Sequence, residues 1–240
     1  MKLKRMRYIP LLLGCFLTGC SCVVVMRKPN TEITVGPTKG KFAIRMDNEE
    51  TSLKMDVHSS FDNYTDFIED TDIPSFSGAY TYKWVSKKVS DIHSEYTDYL
   101  IGKDGEGIQF YKYTFFIKNS GDSDASYYMD INLLDIAKDD VCEYLRVMVF
   151  EGQNKQTIFA KPSKTNSNND GKELLDCYDE SLGAAEIFNN QDITIGPNTL
   201  DANESIKFTL LFWLEGSDSE CKSVPDDFFL NVEVYIKGYK

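Results

Sequence analysis

From residue 40 onward the chain reads as short runs in which apolar and polar residues alternate. Gly40 to Asp47 (GKFAIRMD) and Ser52 to Val57 (SLKMDV) have the two-residue period of strands with one buried face. Residues 58–75 carry Asp62, Asp66, Glu69, Asp70 and Asp72 with no base, which predicts a solvated loop. Further strands are expected at 78–86, 107–118, 127–136, 144–151 and 156–161, several separated by turn chemistry such as Asn119-Ser120-Gly121-Asp122 and Glu151-Gly152-Gln153-Asn154. Ser163 to Lys172 (SKTNSNNDGK) is a polar loop or an insertion, and two strong strands at 205–215 and 228–237 close the pattern. Many short strands rich in Tyr, Phe, Val and Ile, without βαβ alternation, predict an all-β protein: a single jelly-roll-like β-sandwich over residues 40–240 with long loops.

The first residues have a different layout. Four bases (Lys2, Lys4, Arg5, Arg7) precede an uncharged run from Tyr8 to Met26, the order of an export signal. Within it Leu17-Thr18-Gly19-Cys20 resembles the lipobox of bacterial lipoproteins, in which the cysteine thiol takes a diacylglyceryl group. That makes Cys20 the expected lipidation residue. The apolar run also approaches the ~20 residues of a membrane span, so an uncleaved anchor and an ordinary cleaved signal stand beside the lipoprotein reading. All three put the remainder on the extracellular face of the cell membrane. Residues 1–26 are thus the signal or anchor, and 27–39, with two prolines and one glycine, the linker.

Charge narrows the partners. The chain carries net −12, and losing the four N-terminal bases takes it to −16. Such a surface repels polyanions, which excludes nucleic acid. The expected partners are the membrane, through lipid or anchor, and other copies or surface proteins.

Three segments recur in a familiar order: Tyr113 to Gly121, a strand ending in Lys-Asn-x-Gly; Tyr144 to Phe150 followed by Thr157 to Lys161; and Phe212 to Cys221, containing Trp-Leu-Glu-Gly-x-Asp-x-Glu-Cys. Over about residues 107–237 the chain resembles the camelysin and TasA-like exported β-sandwich proteins of low-GC Gram-positive bacteria. The resemblance implies a sandwich fold and a surface-fibre role or, in one branch, metal-dependent peptidase activity. The lipobox-like signal departs from that group, which weakens an inference to fibres, and residues 40–106 match nothing in it.

The chemistry of the residues favours a protein without catalysis. A zincin needs His-Glu-x-x-His so that both ligands share one helix face, whereas His58 and His93 stand 35 positions apart. Cys142 lacks a histidine partner for a thiol nucleophile, and Gly102 to Gly107 lacks the spacing of a phosphate loop. Trp84 and Trp213 are either sheet-packing residues or exposed binding aromatics, and Tyr127 and Tyr128 point to opposite faces of their strand. A Cys177–Cys221 disulfide closing 43 intervening residues would contribute about 4 kcal/mol, with free thiols the alternative. Finally, Glu215, Asp218, Glu220, Asp226 and Asp227 gather after the penultimate strand with Lys222 as the only base. Either Glu215 fixes the turn that Gly216 permits, by accepting hydrogen bonds from loop backbone, or the five acids hold Ca²⁺; no other cofactor is expected. The function expected is a structural or adhesive cell-surface component, and the alternative a module that binds Ca²⁺ or a small solute.

Overall fold

The computed structural model describes residues 40–48, 51–73, 76, 78–79, 98–101, 108–134, 144–152, 155–160, 186–187, 192–216, 218, 221–222, 228 and 230–239. Strand accounts for 72% of this part, and no helix occurs among the described residues. The described residues hold twelve strands: β1 (Gly40–Asp47), β2 (Leu53–Asp56), β3 (Phe67–Ile73), β4 (Asp98–Ile101), β5 (Ile108–Asn119), β6 (Ala125–Leu134), β7 (Leu145–Glu151), β8 (Lys155–Ala160), β9 (Glu186–Ile187), β10 (Asp192–Leu200), β11 (Ser205–Leu214) and β12 (Asn231–Tyr239). They form two packed sheets, which confirms the expected all-β sandwich.

The first sheet has the order β10-β6-β12-β1-β3. Its centre is the parallel pairing of β1 with β12, in register from Phe42 with Val232 to Asp47 with Lys237. The second runs β2-β5-β11-β7-β8-β9, with β4 also on β5. Aromatic rings join the sheets: Phe42 stacks on Tyr113 at 4.3 Å and meets Phe212 edge-on, while Tyr127 meets Phe208 edge-on at 6.2 Å. Such offset and edge contacts add to the burial of large rings, which is the main favourable term in the core.

The two outward faces differ in kind. Along β6 burial alternates strictly, with Tyr127, Met129, Ile131 and Leu133 inward and Tyr128, Asp130 and Asn132 outward, so the first sheet keeps one wet face. In β7 and in residues 208–214 of β11 every residue is buried. The outer side of the second sheet therefore holds Lys112, Thr114, Arg146, Thr209 and Trp213 away from solvent, with the hydroxyls of Thr114 and Thr209 3.0 Å apart.

Asn119 holds a corner of the sandwich. Fully buried at the end of β5, its amide donates to the carbonyls of Ser123 (2.8 Å), Leu200 (3.0 Å) and Asp201 (3.2 Å). Its oxygen accepts from Gly121 N–H and Ser52 Oγ. One side chain thus ties the β5–β6 crossing to the β10–β11 crossing. Gly121 is needed there because a Cβ would stand 2.3 Å from Ser52 Oγ.

Besides the short strands β4 and β9, which were not among the expected ones, three elements depart from the expectation. The acidic stretch 58–75 was expected to be loop throughout, but residues 67–73 are β3, which pairs antiparallel with β1. Acids are tolerated on it because an edge strand faces solvent, where Lys41 Nζ lies 2.8 Å from Asp72 Oδ1. Residues 192–200 form β10, although the Gly196-Pro197 pair reads as a strand breaker. It lies on the sheet edge, where the register with β6 shifts between Ile195 and Asn198 and a missing N–H leaves no ladder bond unmade. The last strand begins at Asn231, after rather than at Phe228. Of the strand expected at 78–86, residues 78–79 are not strand and the rest lies outside the described residues.

Candidate functional site

The turn after β11 is built from the end of the strand outward. Trp213 is fully buried, which settles its two readings in favour of packing. Its indole N–H donates to Glu215 Oε2 at 3.0 Å, and Glu215 is itself buried. The Glu215 N–H donates to the Tyr144 carbonyl at 2.8 Å, fastening the turn to the start of β7. Two further backbone bonds, Asp218 N–H to the Glu215 carbonyl and Cys221 N–H to the Asp218 carbonyl, wind the chain on. Gly216 serves close approach here, since a Cβ would sit 3.1 Å from the Ala79 carbonyl oxygen.

Asp218 is held by a different donor. Arg146, the cross-strand neighbour of Trp213, sends Nη2 to Asp218 Oδ2, with both side chains almost wholly withdrawn from water. Cys221 closes this small cluster. Its thiol is pushed up to about 11, first by burial and then by the nearby Asp218 and Glu215 carboxylates, with Arg146 opposing. Cys221 is a free thiol among the described residues, and Cys177, the partner expected for a bridge, lies outside them.

Of the five acids gathered in the sequence, the structure thus brings Glu215 and Asp218 into one region and gives each a protein donor. Glu220, Asp226 and Asp227 lie outside the described residues, as do Cys20, Cys142, Cys177, Trp84 and His93. Among the described residues no group of three or more His, Cys, Asp or Glu side chains is arranged to hold a metal ion, and no helix is long and apolar enough to cross a membrane. His58 is exposed at a turn where its N–H donates to the buried Asp56 carboxylate.

A second region was not anticipated. On the wet face of the first sheet a depression of about 540 Å³ is lined by Tyr128 and Asp130 of β6, Thr194, Gly196 and Pro197 of β10, and Tyr239 of β12. The Tyr128 and Tyr239 rings stand 6.0 Å apart, tilted by 43°. Thr194 Oγ1 donates to Asp130 Oδ1 at 2.6 Å. The depression opens onto a row that crosses all five strands at matching register: Thr194, Asp130, Tyr235, Arg45 and Phe67. At its far end the Arg45 guanidinium lies over the Phe67 ring at 4.5 Å while its Nε binds Glu233. The only sequence signal for the depression was the Tyr127-Tyr128 pair, one ring inward and one outward.

No family model matches the chain, and no curated protein matches it.

Proposed function

We propose that this protein is a membrane-attached extracellular β-sandwich that acts without catalysis, as a structural or adhesive component of the cell surface. The observation that carries the reading is the wet face of the first sheet, where a row of polar and aromatic side chains spans five strands. A mixed polar and aromatic surface of this kind suits contact with other macromolecules. The export-signal layout of residues 1–26 and the resemblance of residues 107–237 to exported surface proteins support it from the sequence side. The cation-binding reading is weaker, because Glu215 and Asp218 already have Trp213 and Arg146 as partners.

Fractionation of cells making the full chain tests the proposal. The protein is expected in the membrane fraction, accessible to protease added outside, with lipid on Cys20 and with maturation blocked by Cys20→Ala. An intact N-terminus with unmodified Cys20 would replace lipid by a spanning anchor, and protease resistance in intact cells would overturn the extracellular placement.

A further inference from the structure

We propose that the depression between Tyr128, Asp130, Thr194, Pro197 and Tyr239 binds an uncharged saccharide chain. This deepens the adhesive reading by naming what the surface adheres to, and so rests on it. Size comes first: about 540 Å³ falls within the range of small-molecule sites and suits a few sugar rings. The depression is open along the sheet, so a chain can lie across it without threading an end.

Its lining combines the two chemistries a sugar ring presents. Tyr128 and Tyr239 do not belong to the hydrophobic core, and their rings meet at an angle instead of covering each other face to face. An angled pair offers flat apolar surface to the C–H face of a pyranose, and tyrosine does so at little cost in side-chain entropy. Beside them the Asp130 carboxylate is fixed by Thr194, so one oxygen is oriented by the protein while the other remains an acceptor for a ligand hydroxyl. Because the carboxylate is already ordered, binding forfeits less freedom.

Charge selects among ligands that stack on tyrosine. Lys237 is the cross-strand partner of Tyr128 and is exposed, while Asp130 is part of the lining. An anion would meet Asp130 and a chain of net negative charge, and a cation, which Asp130 would attract, is what the choline arm of the test reads. A neutral ligand with hydroxyls that both donate and accept is compatible with all of these groups. Saccharides are that class.

The full chain, solubilised in a zwitterionic detergent without a sugar head, should be run through native gels containing a soluble β-glucan, a xylan, a galactomannan or hydroxyethyl cellulose, with chitohexaose as a free competitor in a parallel titration. Retardation or competition by at least one of these is expected. Tyr128→Ala and Tyr239→Ala should each weaken it about tenfold or more, Tyr128→Phe should retain it, and Asp130→Asn should weaken it about fivefold. Tyr64→Ala, an exposed ring in the turn between β2 and β3 and outside both the row and the depression, should leave it unchanged. Thermal melts of each variant separate lost binding from lost folding. No response to any of the five probes overturns the proposal, as does binding that survives both alanine variants or a site filled by choline chloride in place of sugar. Flotation of the same protein with membranes reads the attachment separately: sugar binding without membrane attachment would sink the cell-surface reading, and attachment without sugar binding would sink this one.

Discussion

Arg146 and Asp218 form an ion pair almost out of reach of water, their side chains 1% and 9% exposed. A pair so placed owes its stability to each partner answering the other, because either charge alone would remain in a medium that solvates it poorly. Asp218→Ala is therefore expected to destabilise the fold by about 3–5 kcal/mol in urea titrations. Replacing both residues together, as Arg146→Met with Asp218→Leu, should cost clearly less than the single change. Equal losses in the two variants would show that the pair itself contributes little.

The indole of Trp213 supplies a hydrogen bond to buried Glu215. Trp213→Phe keeps an aromatic ring but removes the donor, and it should lower stability by about 1–3 kcal/mol. Glu215→Gln keeps an acceptor and should cost less than Glu215→Leu. With the carboxylates of Glu215 and Asp218 committed in this way, millimolar Ca²⁺ is expected to leave the wild-type melting temperature unchanged. A Ca²⁺-dependent rise abolished by Glu215→Gln would restore the cation reading.

Asn119 is expected to be the most sensitive polar residue of the corner. Asn119→Asp turns the donor amide into an acceptor that faces the carbonyls of Ser123, Leu200 and Asp201, and a loss of about 3 kcal/mol or more should appear in chemical denaturation. A loss under about 1 kcal/mol would mean that the corner is held by its other backbone bonds.

Two kinds of acid report burial through pH. The Cys221 thiol is pushed from 9.0 to about 11, so the folded state keeps its proton while the unfolded chain releases it. Its contribution to stability is present below pH 9 and is lost as pH rises toward about 11. Reaction with a disulfide reagent at pH 8 should accordingly be slow in the native protein and accelerate on alkalinisation or unfolding. The Tyr111 and Tyr127 hydroxyls are held far above the ordinary tyrosine range, chiefly by burial, with Tyr113 adding in the first case and Glu151 in the second. In a spectrophotometric titration these two are expected to ionise only as the fold melts. Full titration of all tyrosines near pH 10 in a still-folded protein would contradict that burial.

Much of the sandwich was legible because its strands bury one face. β1, β5, β6, β7 and β11 follow from alternation or from apolar runs closed by turn residues, and their expected limits fall within two residues of those observed. β10 escaped because proline and glycine argue against a strand unless its position at a sheet edge is known, and that position is decided by partners far along the chain. β3 escaped because its acids hide the inward Ile68 and Ile73. Trp213 was ambiguous for a related reason: β11 is buried on both faces, so alternation cannot say which side is wet. Asn119 was visible only as a turn former, since its partners Leu200 and Asp201 lie some eighty positions away. The depression was hidden altogether, because it joins three strands of which one had not been recognised.

The parallel pairing of β1 with β12 sets the order in which the molecule can take shape. β12 lies between β1 and β6, joined to β1 over 190 positions of chain through contacts such as Lys41 N–H with Asn231 Oδ1. Until β12 arrives, β1 and β6 each expose a row of unanswered backbone groups facing the gap, and the first sheet is two fragments. A chain emerging N-terminus first, from a ribosome or through a membrane pore, therefore stays open along the middle of that sheet until its final strand is free. The first sheet thus closes only at the end of that emergence, and a copy cut short before residue 231 would present two sticky edges to its neighbours.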